Sequence, residues 1–211
     1  IPGYNAIFNS RTDRTGGGVG LFIHDSLSFV VRNDLQLLTD KSVVECVFVE
    51  LVHDNVIIGC LYRPPDCNVG LFTSFVDSLL SKINRERKKC YIAGDYNIDL
   101  LKFDVHQPTA DYVNCIFSHA YLPIINKPTR ITDYSATLID NILTNDQLQS
   151  SSSSIVLSDI SDHFPILFQN SRKLKTVIQQ PAKLKRSFTA CNKNTFINKL
   201  QHFDWDSIPD G

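Results

Sequence analysis

The chain has 211 residues, 43% hydrophobic and 20% charged, the balance of an ordinary soluble protein with one sizeable core. It contains no run of about 18 apolar residues, and Ile1-Pro2-Gly3-Tyr4-Asn5 lacks the basic start and apolar stretch of a secretory signal, so nothing places it in or across a membrane. Net charge is -1, but residues 172–186 hold six basic and no acidic side chains, so the rest is acidic on balance and lacks the broadly basic footprint of a nucleic-acid binder. An acidic excess suits a site that holds a cation; a solvated acidic surface accounts for it equally.

The first expected strands are Gly18 to His24, Leu27 to Arg32, Val43 to Leu51 and Val56 to Tyr62, short runs of Val, Ile, Phe and Leu bounded by polar or turn-forming residues. The nearly unbroken Val44 to Leu51 predicts burial on both faces. Leu71 to Arg87 carries Leu71, Phe72, Phe75, Val76, Leu79, Leu80 and Ile83 at three- and four-residue intervals, the stripe of an amphipathic helix whose basic end suits the helix dipole. A strand follows at Cys90 to Ala93, then a helix at Ala110 to Ala120 and strands at Thr137 to Leu143, Ser154 to Leu157 and Pro165 to Gln169. Ser150 to Ser154 is expected to be a flexible connection. Hairpin-like strands early and strand–helix–strand units later predict an α/β protein with mixed sheets.

The division expected is a domain over residues 1–170, a basic linker over 171–187, and a further module beginning at 188–211 with a short amphipathic helix from Asn194 to Phe203. Cys46, Cys60, Cys67, Cys90, Cys115 and Cys191 form no C-x-x-C pair, and several sit in apolar runs, so they read as reduced residues of an intracellular protein rather than a disulfide set or zinc site. The count of zero Met predicts a processed chain or a fragment lacking its first part.

Four segments present chemistry. In Tyr91-Ile92-Ala93-Gly94-Asp95-Tyr96-Asn97-Ile98-Asp99 an apolar strand ends in alternating Asp and Asn, which strand alternation would turn to one side. Asp95 can take a proton from water or hold a metal, and Asn97 can donate to a phosphate oxygen; an Asx-rich turn is the plainer alternative. In Ser161-Asp162-His163-Phe164-Pro165 an acceptor and a switchable donor stand side by side. Asp140 interrupts the apolar Thr137 to Leu143 and needs a partner, for which an imidazolium is suited. Tyr62, in Leu61-Tyr62-Arg63-Pro64-Pro65, closes a strand that prolines cannot continue, where its hydroxyl can reach a phosphate or its ring can pack on a proline. Gly16-Gly17-Gly18-Val19-Gly20 is not a dinucleotide loop, because Leu21 stands where the last Gly is required and a strand follows. The histidines at 24, 53, 106, 119 and 202 read as structural.

In order, Gly-Gly-Gly-Val-Gly, Tyr62-Arg63-Pro64-Pro65, Gly94-Asp95-Tyr96-Asn97, Ile139-Asp140-Asn141-Ile142 and Ser161-Asp162-His163 resemble the endonuclease/exonuclease/phosphatase superfamily over residues 1–170. They look most like its branch in non-LTR retrotransposon polyproteins, and Phe188 to Trp205 resembles the connector preceding the reverse transcriptase there. The resemblance implies a four-layer sandwich of two mixed sheets flanked by helices. It also implies Mg²⁺- or Mn²⁺-assisted hydrolysis of a DNA phosphodiester, with a reverse-transcriptase domain in the full polyprotein and a nuclear location. Under it Asp95 orients or deprotonates water, Asn97 holds the scissile phosphate, His163 stabilises the developing charge, Asp140 orients His163, Asp162 helps bind the metal and Tyr62 contacts the phosphate.

The same resemblance implies an opening strand–helix–strand portion, with a catalytic Asn and a metal-binding Glu, that would precede Ile1. Glu45 and Glu50 lie in a later strand and Glu86 in the basic helix end, so the isolated chain is expected to bind metal weakly and show negligible nuclease activity. The rival readings are a phosphatase of the same fold and an inactive remnant serving as a binding module.

Overall fold

The apolar runs bounded by turn residues fold as strands in the computed structural model of the chain, which describes residues 1–9, 18–36, 43–146, 151–170 and 190–203. The basic linker expected at 171–187, together with Gly16, Gly17, Ser150, 188–189 and 204–211, lies outside the described residues. Two compact units divide the chain, Ile1–Val177 and Ile178–Gly211. In the second, the described element is helix α4 (Ala190–Gln201).

In the first unit β1 (Tyr4–Asn9) pairs antiparallel with β2 (Val19–His24). Then come β3 (Phe29–Val31), the single turn α1 (Asn33–Gln36), β4 (Glu45–Leu51), β5 (Val56–Tyr62), α2 (Val69–Arg85) and β6 (Lys89–Asp95). After α3 (Gln107–Ser118) come β7 (Leu122–Pro123), β8 (Arg130–Thr132), β9 (Ser135–Thr137), β10 (Asp140–Thr144), β11 (Ser151–Ile155) and β12 (Ile166–Asn170). Six strands form the central sheet in the order β3-β4-β5-β6-β10-β7. Its β5–β6 pair is parallel, with α2 as the crossover, and its other pairs are antiparallel.

Alternation along each strand sorts the core to two sides. Cys46 and Phe48 of β4, Ile57 and Leu61 of β5, and Cys90 and Ile92 of β6 face one cluster with Phe72, Phe75, Val76, Leu79, Leu80 and Ile83 of α2 and Tyr112, Val113 and Ile116 of α3. Val49, Leu51, Val56, Ile58 and Tyr91 face the other, where Ile7, Leu21 and Ile23 of the β1–β2 pair cover them. The β11–β12 pair also lies on this side, with Phe168 and Tyr91 rings 5.2 Å apart. The layers are therefore outer helices, central sheet, and a second β layer made of two strand pairs.

Helix α2 starts where the Asn68 side chain accepts the Leu71 N–H at 3.1 Å, and carries Lys82 and Arg85 in its last turn. Its buried residues are the stripe read from the sequence, except Leu71, which is exposed. Strand β4 is buried on both faces, as its unbroken apolar run predicts. Among the described residues no helix is long and apolar enough to cross a membrane. Cys46, Cys60, Cys67, Cys90 and Cys115 are free thiols, and burial pushes Cys46 and Cys90 up to about 12.

Three expectations are corrected. The serine run is not a flexible connection over Ser151 to Ser154: those residues form β11, because their backbone pairs in register with β12 whatever their side chains, and Ser153 Oγ donates to Ile124 O at 2.8 Å. The strand expected over Thr137 to Leu143 breaks at Leu138 and Ile139. There Leu138 N–H turns to Asp99 Oδ1 (3.0 Å), and the Ile139 and Asp140 N–H groups turn to Thr129 Oγ1 (3.3 and 3.0 Å). At the N-terminus, Tyr4 to Asn9 already supplies a strand, which its weak alternation concealed.

Candidate active site

One row of the central sheet collects the chemistry. Register places Glu45 opposite Tyr62, Tyr62 opposite Asp95, and Asp95 opposite Asp140, so four side chains from β4, β5, β6 and β10 share one face. It is the face away from α2 and α3, since Glu45, Tyr62 and Asp95 have the parity of Val49, Val56 and Tyr91. The row ends the parallel pair β5–β6 at its C-terminal edge, where ligands of α/β sheets gather.

Two loops complete the row. After β6 the chain turns through Asn97 in the left-handed region (φ 47°), a conformation Asn tolerates. This corrects the expected cause of the Asp95–Asn97 approach: β6 ends at Asp95, and the turn rather than strand alternation brings them together. Asn97 N–H donates to Asp95 Oδ1 at 3.0 Å, and its Nδ2 donates to Arg63 O at 2.8 Å and Asp95 Oδ2 at 3.2 Å. The second loop brings His163 in through an isolated bridge to Arg130, with Phe164 N–H donating to Thr129 O at 2.7 Å. His163 Nδ1 lies 3.0 Å from Asp140 Oδ2; a carboxylate only accepts, so Nδ1 carries the hydrogen and Nε2 is left for a substrate.

Asp95, Asp140 and His163 each offer a ligand atom, and these atoms lie within 4.8 Å of one another. Asp95 is held above the usual carboxylate range by burial first and by the neighbouring Asp140 charge; the Asn97 N–H, His163 and Arg130 pull the other way. Two carboxylates crowded in this way suit a hard divalent cation, which would relieve both.

The structure gathers Asp95, Asn97, Asp140 and His163, with Tyr62 in the same row, and places Asp162 differently. Its carboxylate accepts from Arg130 Nε at 2.7 Å in an exposed pair, and this holds Asp162 below the usual range.

Sequence reasoning missed three residues here. Glu45 is only 2% exposed, stands in the site row and accepts the Gly18 N–H. Arg130 lies at the rim beside His163. Arg63, 3% exposed, donates to the carbonyls of Asn97 (3.1 Å) and Cys67 (2.5 Å), while its N–H donates to Asp95 O (3.0 Å). Arg63 thus ties the end of β5 to the Asp95–Asn97 turn, and the available signal was a charged residue directly closing an apolar strand. Arg63→Met, which keeps the apolar stem and the backbone N–H but removes the guanidinium donors, is expected to cost about 2–4 kcal/mol and to lower turnover more than substrate affinity. Urea unfolding and a split of kcat from KM check this; an unchanged unfolding midpoint would refute it.

The fold and this row define a class, an α/β protein of mixed sheets with two carboxylates and an oriented histidine at one sheet edge. The chain belongs to the endonuclease/exonuclease/phosphatase family, whose description matches residues 2–163. The enzymes of this family are generally divalent-metal dependent. The fold is similar to the endonuclease domain of TRAS1, a telomere-specific non-LTR retrotransposon, with 13% identity over 82% of this chain and 83% of that one and a TM-score of 0.65. It is also similar to an AP endonuclease from Archaeoglobus fulgidus (13% identity, 81% and 80% covered, TM-score 0.55). A third similar structure is a 3′ phosphatase from Neisseria bound to product DNA hairpin (12% identity, 81% and 80% covered, TM-score 0.52). At these identities the likeness is one of fold. No curated protein matches the chain.

Proposed function

We propose that the chain is a metal-dependent endonuclease that hydrolyses DNA phosphodiesters as part of a retrotransposon-derived polyprotein, beside a reverse-transcriptase domain and in the nucleus. The observation that carries the hydrolytic part is the convergence of Asp95, Asp140 and His163 within 4.8 Å at one sheet edge. The order of the sequence motifs and the likeness to the TRAS1 endonuclease fold support the retrotransposon part. A DNA substrate is supported by that likeness and by the DNA hairpin held by the Neisseria structure.

Asp95 and Asp140 would hold Mg²⁺ or Mn²⁺. When bound, the cation supplies Lewis-acid stabilisation of charge on the phosphate oxygens. Asp95, turned toward the attacking water by Asn97, orients it and accepts its proton. His163, held through Nδ1 by Asp140, presents Nε2 to the charge developing on the phosphate. Both Nδ2 hydrogens of Asn97 are engaged, so its first task is to orient Asp95; donation to the scissile phosphate exchanges the longer, 3.2 Å bond. Tyr62 borders the phosphate position from the neighbouring strand. Asp162 joins the metal only on leaving Arg130, a guanidinium that is itself suited to a backbone phosphate.

The test is nicking of supercoiled plasmid by the 211-residue chain. The rate is expected to be slow, because among the described residues this cluster offers three donors and no glutamate. It is expected to stop with EDTA and to fall about 100-fold in His163→Ala. Nicking indifferent to EDTA or to His163→Ala would exclude the reading.

A further inference from the structure

A second group of metal-ligating side chains lies in the helical layer, across the central sheet from the row just described. Asp77 projects from α2, Cys115 from the last turns of α3, and His119 from the C-cap of α3. Cys115 and His119 are four residues apart, which places them on one face of the helix end. The ligand atoms of all three lie within 4.8 Å of one another. We propose that Asp77, Cys115 and His119 form a zinc site that clasps α2 to α3, with a water molecule as the fourth ligand.

The donor set argues for zinc rather than the cation of the sheet-edge site. A thiolate is a soft donor, an imidazole a borderline one and a carboxylate a hard one, and zinc accepts all three, whereas magnesium and calcium take oxygen. Three protein ligands leave one tetrahedral position. The exposure of the Asp77 side chain, 61%, leaves room for water there, while His119 at 15% is largely enclosed.

His119 Nε2 and Asp77 Oδ1 already meet at 2.8 Å. An ion pair explains that contact and leaves Cys115 out. The thiol has only a long bond to Thr73 O, at 3.8 Å, and faces the same point as the other two groups. Tetrahedral bonds of about 2.0–2.3 Å set ligand atoms about 3.5 Å apart, so the Asp77–His119 pair opens by under ~1 Å while the Cys115 thiol closes by about 1 Å. The backbone of His119 is fixed for this, since Asn84 Nδ2 donates to its carbonyl at 3.0 Å and ties the end of α3 to α2. Burial pushes the Cys115 thiol up to about 11, and coordination displaces that proton outright.

The experiment loads the full chain, carrying Asp95→Asn and Asp140→Asn to suppress the sheet-edge site, with zinc for X-ray absorption and with cobalt for optical titration. The expected zinc shell contains one sulfur at about 2.3 Å among nitrogen and oxygen neighbours. Cobalt is expected to give a near-ultraviolet thiolate charge-transfer band that saturates at one equivalent. Cys115→Ser removes the band, and the exposed substitution Asp77→Asn lowers zinc affinity about tenfold. A zinc shell without sulfur overturns the proposal irrespective of how the Cys115 variant folds. So does a band that survives Cys115→Ser.

Discussion

Asp95→Asn is expected to lower plasmid nicking by about 10²–10⁴-fold and, in metal-free buffer, to gain stability relative to the unsubstituted chain as pH rises. The two effects share one cause. Burial and the Asp140 charge make ionised Asp95 costly in the folded state, and ionised Asp95 is the form that can accept a proton from water. A carboxyl whose folded-state pKa is raised contributes stability in full below its ordinary value of about 3.9, and loses that contribution as pH rises through the raised value. The amide has no such loss, so the difference in unfolding free energy, variant minus unsubstituted, grows from acid toward neutral pH. Asn at 95 retains an acceptor for the Asn97 N–H but sets two amide donors face to face across the former 3.2 Å bond. That offset is independent of pH, so the slope is the diagnostic quantity. Urea unfolding at several pH values with EDTA present measures it, and a difference that is flat with pH refutes the assignment. Added Mg²⁺ stabilises the unsubstituted chain and flattens the slope, because the cation answers the same charge.

What the sequence disclosed and what it hid follow from how each feature is made. The α2 stripe and the apolar β4 run were legible because burial imposes a period on local residues, and Phe72, Phe75, Val76, Leu79, Leu80 and Ile83 are all buried. Asp95, Asp140 and His163 were legible as chemistry because an ionisable group at the end of an apolar run demands a partner, and Asp140 has one in His163. Their common row was not legible, since it depends on which strands are neighbours, and β10 reaches β6 only after α3 and three short strands intervene. Glu45 was set aside for the same reason: far before Asp140 in the chain and in a separate motif, it enters the row through the β4–β5–β6 register alone. Arg63 carries no period and no charged partner in sequence, and its role rests on carbonyls 34 residues away at Asn97. The Ser151–Ser154 strand was hidden because a ladder is made by backbone, which serine supplies as well as valine does.

Gly94→Ala is expected to be more damaging than the same change at Gly3, Gly20, Gly59 or Gly70. An alanine methyl at 94 would lie inside the van der Waals envelope of the Leu61 carbonyl and its backbone carbon, atoms of a strand that cannot yield. β6 is held on one side by the parallel ladder to β5, where Leu61 faces Gly94, and on the other by β10, where Asn141 faces Gly94. Moving β6 away from β5 strains the Asn141 pair. Moving β5 draws on the Arg63 N–H bond to Asp95 O at 3.0 Å. Either displacement separates Tyr62 from Asp95 or Asp95 from Asp140, so the clash falls on the site row itself. The expected cost is about 4 kcal/mol or more, the range of backbone strain combined with lost ladder bonds, and a fall in thermal midpoint of about 10 °C. Gly70→Ala is the control, in the first turn of α2. There the added methyl meets the Asn68 side-chain oxygen, the cap acceptor, at 3.1 Å, a contact that flexible side chain relieves by a small shift, and the backbone is helical, which alanine favours over glycine. Its thermal midpoint is expected to stay level or rise slightly. Equal midpoints for the two variants would refute the assignment of Gly94 to close strand packing beneath the site, and a folded Gly94→Ala with full nicking activity would show that the Asp95 row tolerates a displaced β6.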